Sequence, residues 1–291
     1  AEPDDEERYL VDQLWPAGGK VLLSAPQKSG KTTLVGNLVR ALADGARFLS
    51  RPVEPGGFKV AAAGYAVTPL EEGRRIALFD FEMTRRKLKE WLRDQRIANT
   101  DAVHVELMRG RVWDVRDVDI RRQWAEHLRS LDVQVLMVDP IGPVMHSLGI
   151  DENDNSAVGG FLFALDALVR ESGADELFVT HHTGHSTERA RGASNFLGWG
   201  DANWAIVRDE TSGERAFKAE GRDVWVPETM LVFDRVTRRL GLGSGDRTSS
   251  RAAEHAEIIA GIVEENPGES LNKIKKLAVE TEIGTKVQRT Q

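Results

Sequence analysis

Short apolar runs alternate with segments of helical periodicity over the first 180 residues of the chain. The apolar runs lie at 21–23, 76–79, 103–107, 133–138 and 177–179, and the helical segments begin near residues 34, 85, 117 and 157. Short apolar runs separated by helices are typical of parallel strands that are buried on both faces of a sheet. The pattern therefore predicts an α/β fold with a mostly parallel sheet flanked by helices.

Beyond residue 202 the apolar runs follow one another without intervening helices. Runs at 204–207, 215–218 and 230–233 predict antiparallel strands that extend one edge of the sheet. We therefore assign residues 1–242 to one α/β domain. Residues 243–251 have the Gly- and Ser-rich composition of a linker.

The C-terminal segment, residues 252–291, returns to helical periodicity. Helices are expected at 252–265 and 270–279, and a turn at 282–284 is expected to precede a third helix capped by Thr285. Three short helices around a Gly-containing turn suggest a helix-turn-helix, compatible with a truncated winged helix. A helical hairpin that serves packing or oligomerisation is the alternative.

Composition narrows the class of protein. The chain carries 39 Lys and Arg residues against 46 Asp and Glu residues, a net charge of −7, so no general positive field favours nucleic acid. The absence of cysteine from the sequence excludes disulfides, thiol nucleophiles and thiolate zinc sites. No apolar run approaches the ~20 residues of a membrane span, and we expect a cytoplasmic globular protein without a membrane partner.

The segment 25–32, which reads APQKSGKT, fits the phosphate-binding P-loop pattern, with Ala25 in place of the first Gly. An apolar strand enters the segment and a helix leaves it, as a P-loop requires. Lys31 is expected to reach the outer phosphates of ATP and Thr32 to hold Mg²⁺ through its hydroxyl. The residues expected to bind the nucleotide are Gln27, Lys28, Ser29, Gly30, Lys31, Thr32 and Thr33. A plain Gly loop with an exposed lysine is the alternative.

Two acidic residues follow predicted strands and are expected at the same sheet edge as the P-loop. Asp139 ends the run 133–138, where it suits a Mg²⁺ ligand, although it also suits a helix cap. Glu82 follows the predicted strand 76–81 and is the candidate catalytic base that polarises the attacking water. Asp80 is its neighbour and rival, and capping of the following helix is the other alternative for Glu82.

The order of these motifs resembles the RecA-like ATPases, and within them the branch of the plasmid replicative helicase RepA. The resemblance covers about residues 10–240, with the insertion 51–73 as a departure. The matching pieces are QKSGKT at 27–32, FDFE at 79–82, VDP at 138–140, HHTG at 181–184, RGAS at 191–194 and GRD at 221–223. The resemblance implies a RecA-like fold, ATP and Mg²⁺ as cofactors, a hexameric ring with ATP between subunits, and movement on single-stranded DNA.

The resemblance also assigns roles outside the P-loop. His182 is expected to sense the γ-phosphate, whereas a hydrogen-bonded histidine pair with His181, or a zinc site completed by His185, are alternatives. The loop 183–198 resembles a pore loop in which Arg189 and Arg191 grip DNA phosphates. A solvated loop is the alternative there.

Lys218 and Arg222 match the positions from which related ring ATPases reach the γ-phosphate of a neighbouring subunit. A hairpin with two surface cations is the alternative. The helix that begins at Arg85 has an excess of positive charge, which suits a solvated or subunit-facing surface.

We interpret the chain as a Mg²⁺-dependent ATP hydrolase acting on single-stranded DNA, a hexameric DNA helicase of the kind that serves replication in a phage or mobile element. Three other functions fit parts of the sequence: a recombination or repair mediator without unwinding activity, a small-molecule kinase, and a nucleotide-switched DNA-binding regulator. The kinase lacks support because no Arg-rich lid segment is found in the sequence.

Overall fold

The computed structural model describes residues 8–54, 59–60, 67–68, 73–182, 195–209, 212–246, 256 and 259–290. Over these residues the chain forms a nine-stranded sheet and two separate two-stranded sheets. The strands are β1 (Tyr9–Val11), β2 (Trp15–Pro16), β3 (Lys20–Ala25), β4 (Lys59–Val60), β5 (Val67–Thr68), β6 (Ile76–Asp80), β7 (Val103–Leu107), β8 (Val135–Asp139), β9 (Glu176–His182), β10 (Ala202–Arg208), β11 (Arg215–Gly221), β12 (Trp225–Asp234) and β13 (Arg239–Leu242).

Helices connect the parallel strands. They are α1 (Lys31–Asp44), α2 (Arg85–Asp94), α3 (Val118–Ser130), α4 (Gly142–Ser147), α5 (Asn155–Ser172) and α6 (Asn195–Trp199), with a 3₁₀ turn at Thr100–Ala102 and a C-terminal helix at Leu271–Thr290. Local signals explain several of their ends. Thr84, Asp117 and Asp154 each cap a helix start by accepting hydrogen bonds from backbone N–H groups.

The large sheet has the strand order β13-β12-β11-β10-β3-β9-β8-β6-β7. The strands from β10 to β7 are parallel, whereas β11, β12 and β13 are antiparallel additions at the other edge. The predicted α/β fold, with its mostly parallel sheet and antiparallel extension, is therefore confirmed. Strands β6, β8 and β3 are buried along nearly their whole length, which agrees with their continuous apolar sequences.

The core lies in two layers, one on each face of this sheet. Helix α1 packs on one face with an aromatic cluster in which the Trp15 and Phe178 rings lie 5.6 Å apart and the Phe48 and Trp204 rings lie 5.5 Å apart. Helices α3 and α5 cover the other face. Because both faces are covered, only the strand ends and the sheet edges remain for chemistry.

The C-terminal segment differs from its prediction. Residues 259–265 are helical, and Leu271–Thr290 forms one helix without interruption. The predicted turn at 282–284 and the third helix from Thr285 are therefore wrong. A single Gly284 costs only ~1 kcal/mol inside a helix, so it does not by itself end one.

The insertion 51–73 contains a short hairpin of β4 and β5, and its other described residues lie near its two ends. Within the described part of the chain, none of the helices combines the length with the apolar character that crossing a bilayer requires.

Candidate phosphate-binding and catalytic site

The P-loop joins the carboxyl end of β3 to the start of α1. Two of its residues have left-handed backbone conformations, Lys28 with φ of 59° and Gly30 with φ of 100°. Gly30 is the N-cap of α1, and no side chain caps this helix start. Its first backbone N–H groups are thus left to an anion, and the helix dipole favours the same charge.

A buried hydroxyl supports the same interpretation. Ser29 is only 1% exposed, and its Oγ has no hydrogen-bond partner among the described residues. A buried hydroxyl without a partner is costly unless a ligand or water satisfies it. The N-terminal amides of α1, the unpartnered Ser29 hydroxyl and the adjacent Lys31 together fit a bound polyphosphate.

Lys31 is buried inside the loop and contacts two polar side chains. Its Nζ lies 3.2 Å from Asp139 Oδ1 at the end of β8, and donates to Thr180 Oγ1 on β9 at 3.3 Å. Thr180 in turn donates its hydroxyl hydrogen to Asp139 Oδ1. The predicted phosphate-binding lysine and the predicted Mg²⁺ ligand are therefore brought together, and Thr180 connects them.

Asp80 and Asp139 end neighbouring parallel strands at the same level, because they are register partners of β6 and β8. Asp80 Oδ1 accepts hydrogen bonds from the backbone N–H groups of Glu82 at 3.1 Å and Met83 at 2.6 Å. Burial, and to a smaller extent the negative charge of Asp139, raise the pKa of Asp80 to about 6. Two carboxylates at the ends of neighbouring strands favour binding of a cation.

Thr32 shares a small cavity of about 10 Å³ with both aspartates. The hydroxyl and carboxylate oxygens are the hard ligands that Mg²⁺ prefers. The residues present thus fit a magnesium ion, which Thr32 and Asp139 could hold next to a bound phosphate.

Glu82 and His182 lie side by side at the open edge of the site. His182 Nε2 is 3.9 Å from Glu82 Oε2, and the Glu82 side chain is 58% exposed. Burial and the positive charge of Lys31 lower the pKa of His182, so its ring is neutral near pH 7. The Glu82 carboxylate is exposed to water. The Asp80 carboxylate is buried and is held in place by two hydrogen bonds from backbone N–H groups.

The two histidines at the end of β9 have different surroundings. His181 is buried and its ring stacks on Phe196 with centroids 4.5 Å apart, whereas His182 faces Glu82. The alternative zinc site needs His185, which lies outside the described residues, as do Arg189 and Arg191 of the predicted DNA-binding loop.

Two site residues were missed by the sequence analysis. Thr180 precedes the histidine pair, and only the pairing of β9 with β3 reveals that it faces Lys31. Arg215 begins β11 and donates from Nη2 to the carbonyl oxygen of Lys28 in the P-loop at 3.4 Å. Neither position has a sequence motif, although a polar residue directly after the apolar run 177–179 was a signal for Thr180.

Lys218 and Arg222 lie progressively further from the P-loop of their own chain. Strand β11 runs antiparallel to β10, so Arg215 pairs with Arg208 at the P-loop end, and Gly221 pairs with Ala202 at the opposite end. From Arg215 to Arg222 a strand extends ~23 Å. Lys218, opposite Ala205, lies in the middle of the strand, and the exposed Arg222 follows its far end.

Comparisons with known proteins agree with this geometry. The structure is similar to that of a KaiC-like protein from the hyperthermophilic archaeon Pyrococcus horikoshii OT3, with a TM-score of 0.52 and 13% identity over 81% of this chain and 94% of that one. No curated protein sequence matches the chain significantly. The sequence profile described as "AAA domain" matches residues 1–188, which include the P-loop and the strand ends. The chain therefore belongs to the AAA domain family and is a P-loop ATPase with a RecA-like fold.

Proposed function

We propose that this protein is a Mg²⁺-dependent ATP hydrolase of the RepA-like branch, which works on single-stranded DNA as a hexameric helicase. The observation that carries the hydrolase part is the buried contact between Lys31 and Asp139, bridged by Thr180, beside the uncapped start of α1. The branch, the ring and the DNA are supported by the motif resemblance described above.

Each residue of the site has a separate role in phosphoryl transfer. On ATP binding, Lys31 leaves Asp139 for the β- and γ-phosphates, and the backbone N–H groups at the start of α1 bind the same anion. Thr32 and Asp139 would hold Mg²⁺, which neutralises developing phosphate charge when bound. Glu82 orients water and accepts its proton.

His182 suits a coupling role between the phosphate and the exposed edge of the site. Its neutral ring has one donor and one acceptor nitrogen. A phosphate oxygen and the Glu82 carboxylate are both acceptors, so the single donor of the neutral ring would serve only one of them at a time. Arrival of the γ-phosphate would therefore turn the ring from Glu82 toward the phosphate. Because His182 directly precedes the segment 183–198, a change in its position is transmitted to the proposed DNA-binding loop with Arg189 and Arg191.

A neighbouring subunit would complete the site. Arg222 lies at the end of the sheet opposite its own P-loop, so an action on its own ATP is geometrically unfavourable. An exposed arginine in the connection between β11 and β12 is suited to reach a second copy of the chain. We assign the same role, with a shorter reach, to Lys218.

The hydrolase is tested by ATPase turnover with and without single-stranded DNA. We expect Lys31→Ala to abolish turnover, because the phosphate-facing cation is lost. Lys89→Ala, which removes an exposed lysine from α2, is the matched control and should retain turnover. Normal turnover in Lys31→Ala would refute the P-loop assignment.

DNA binding is tested by its salt dependence. With a net charge of −7, binding must come from local cations, and Arg189→Ala combined with Arg191→Ala should lower the slope of log affinity against log salt by about 1–2. An unchanged slope and affinity would move the DNA site elsewhere. Strand displacement of a forked duplex then separates a helicase from an ATPase without unwinding activity.

The ring is tested by mixing variants. Arg222→Ala and Lys31→Ala subunits should each be nearly inactive alone, since an arginine acting in trans contributes ~10³–10⁵ in rate. A mixed oligomer would contain interfaces with an intact P-loop and an intact Arg222, and should regain part of the activity. Native mass measurement must first show subunit exchange. Exchange without recovered activity would exclude the action of Arg222 in trans.

A further inference from the structure

Three potential metal ligands meet on the sheet edge away from the antiparallel extension. His104 and Glu106 lie on β7, the last strand at that edge, and His127 lies in the last turns of α3. Residues two apart on a strand face the same side, so both β7 side chains point toward α3. The cluster thus draws on two separate elements of the fold.

The ligand atoms of this cluster converge. His104 Nε2 and His127 Nε2 each lie 2.9 Å from the same atom, Glu106 Oε1. The ligand atoms of the three residues all lie within 4.8 Å of one another. The imidazoles of His104 on β7 and His127 on α3 both point at one carboxylate oxygen of Glu106. An ion placed among them would contact two nitrogens and one or two oxygens.

Aromatic packing holds the imidazoles in place. The two histidine rings lie 5.5 Å apart at 69°, and the Trp124 ring packs edge-on against His127 at 5.7 Å. Trp124 itself packs edge-on against Phe79, a fully buried residue of β6. Side chains fixed in this way lose little freedom when an ion binds, which favours affinity.

We propose that His104, Glu106 and His127 form a binding site for a divalent transition metal, with Zn²⁺ as the best-fitting ion. Two imidazoles and one carboxylate form a known zinc ligand set, with bonds of 2.0–2.2 Å. Ligands at these bond lengths around a tetrahedral ion are separated by ~3.4 Å. The 2.9 Å nitrogen–oxygen distances need to open by only about 0.5 Å, which rotations of the side chains supply.

Exposure determines what else the ion contacts. The His104 and His127 side chains are 38% and 40% exposed, whereas Glu106 is 18% exposed. The protein would therefore supply three ligands, and water would occupy the fourth position on the solvent-exposed side of the ion. Imidazole ligands select Zn²⁺ and its neighbours over Mg²⁺, so this site and the proposed nucleotide site take different ions.

The ion would join the edge strand β7 to α3. β6 separates β7 from the strand β8 that carries Asp139, a distance of ~10 Å across the sheet. Binding is thus expected without nucleotide. Because the ion contacts two elements that come together only in the folded protein, it should raise the unfolding temperature.

The test is titration calorimetry of the full chain with ZnCl₂ alone, after removal of metals with a chelator and without nucleotide. We expect one site with a Kd on the order of micromolar. His104→Ala combined with His127→Ala should weaken binding at least ~10-fold, because two of three ligands are lost. His146→Ala, which removes another exposed histidine, is the matched control and should bind as the unaltered chain does.

Two further measurements protect the test against a folding defect or a competing site. Glu106→Gln keeps the hydrogen-bonding shape but weakens the ligand, and it should lose the rise in Tm of ~5 °C expected at saturating Zn²⁺. The visible absorption of bound Co²⁺ should report a four-coordinate site that His182→Ala preserves. Zn²⁺ binding that survives the double variant, or weaker than millimolar binding, would leave the cluster as a hydrogen-bonded triad and overturn the proposal.

Discussion

Replacing Asp80 with asparagine should stabilise the protein above pH 6, although it removes a charge next to the ATPase site. Asp80 is 1% exposed, and burial together with Asp139 raises its pKa from the ordinary value of 3.8 to about 6. The folded protein thus retains a proton between these pH values that the unfolded chain has released. Stability of the unaltered protein falls as the pH rises through this window.

The magnitude follows from the two pKa values. A difference of about 2 pH units corresponds to ~3 kcal/mol in the free energy of unfolding, fully present above pH 6 and absent below about pH 4. Asparagine avoids this cost because it carries no charge. Its Oδ1 can still accept the two hydrogen bonds from the backbone N–H groups of Glu82 and Met83.

The assay is urea unfolding of both proteins at several pH values between 4 and 8, in chelator and without nucleotide. The stability advantage of Asp80→Asn should grow between pH 4 and 6 and then remain constant. Asp119→Asn, at a carboxylate that is 82% exposed, controls for general charge effects. An advantage that does not change with pH would refute the burial argument.

Three other changes test neighbouring parts of the structure. Glu82→Gln should retain Mg·ATP in a nucleotide-binding assay while turnover falls at least ~100-fold, and near-normal turnover would pass the role of base to another residue. Thr180→Val should lower the free energy of unfolding in urea by ~1–3 kcal/mol, because Lys31 and Asp139 lose a buried hydroxyl partner; an unchanged value would mean that water replaces it. Arg74→Met should cost ~3–5 kcal/mol at pH 8, because it leaves Glu176 buried without its cation. Burial already raises the pKa of Glu176 to about 7, so the loss should be smaller at pH 5, and equal losses at both pH values would contradict this reasoning.

The fold could be predicted from the sequence wherever burial determines the pattern of apolar and polar residues. Strands β6 and β8 are apolar up to the aspartate that ends each of them because both faces of the sheet are covered, and the helices between them show one apolar side. The structure of the C-terminal segment could not be predicted in the same way. Its long helix has few buried positions among the residues whose side chains are described, so burial imposes no clear apolar pattern there. The prediction therefore depended on a single glycine, Gly284, and placed a turn where the helix continues.

The candidate site was predictable only where the chain itself brings residues close. The P-loop is a local motif, and Asp139 and Glu82 follow from strand ends meeting at one edge. The contacts of Thr180 and Arg215 depend on which strands pair and in which register, since their partners lie about 150 to 190 residues away in sequence. Register between distant strands is set by packing of the whole sheet.

The contact between Lys31 and Asp139 has a consequence for the order in which ligands assemble. Nucleotide that arrives without metal would draw Lys31 away from the buried Asp139, whose neighbour Asp80 is a second buried carboxylate. Metal that arrives without nucleotide competes with the lysine for the same oxygen. Each ligand therefore removes the obstacle to the other, and by thermodynamic reciprocity their affinities rise together. On the proposed function, the resting site would favour the preformed Mg·ATP complex over either component alone.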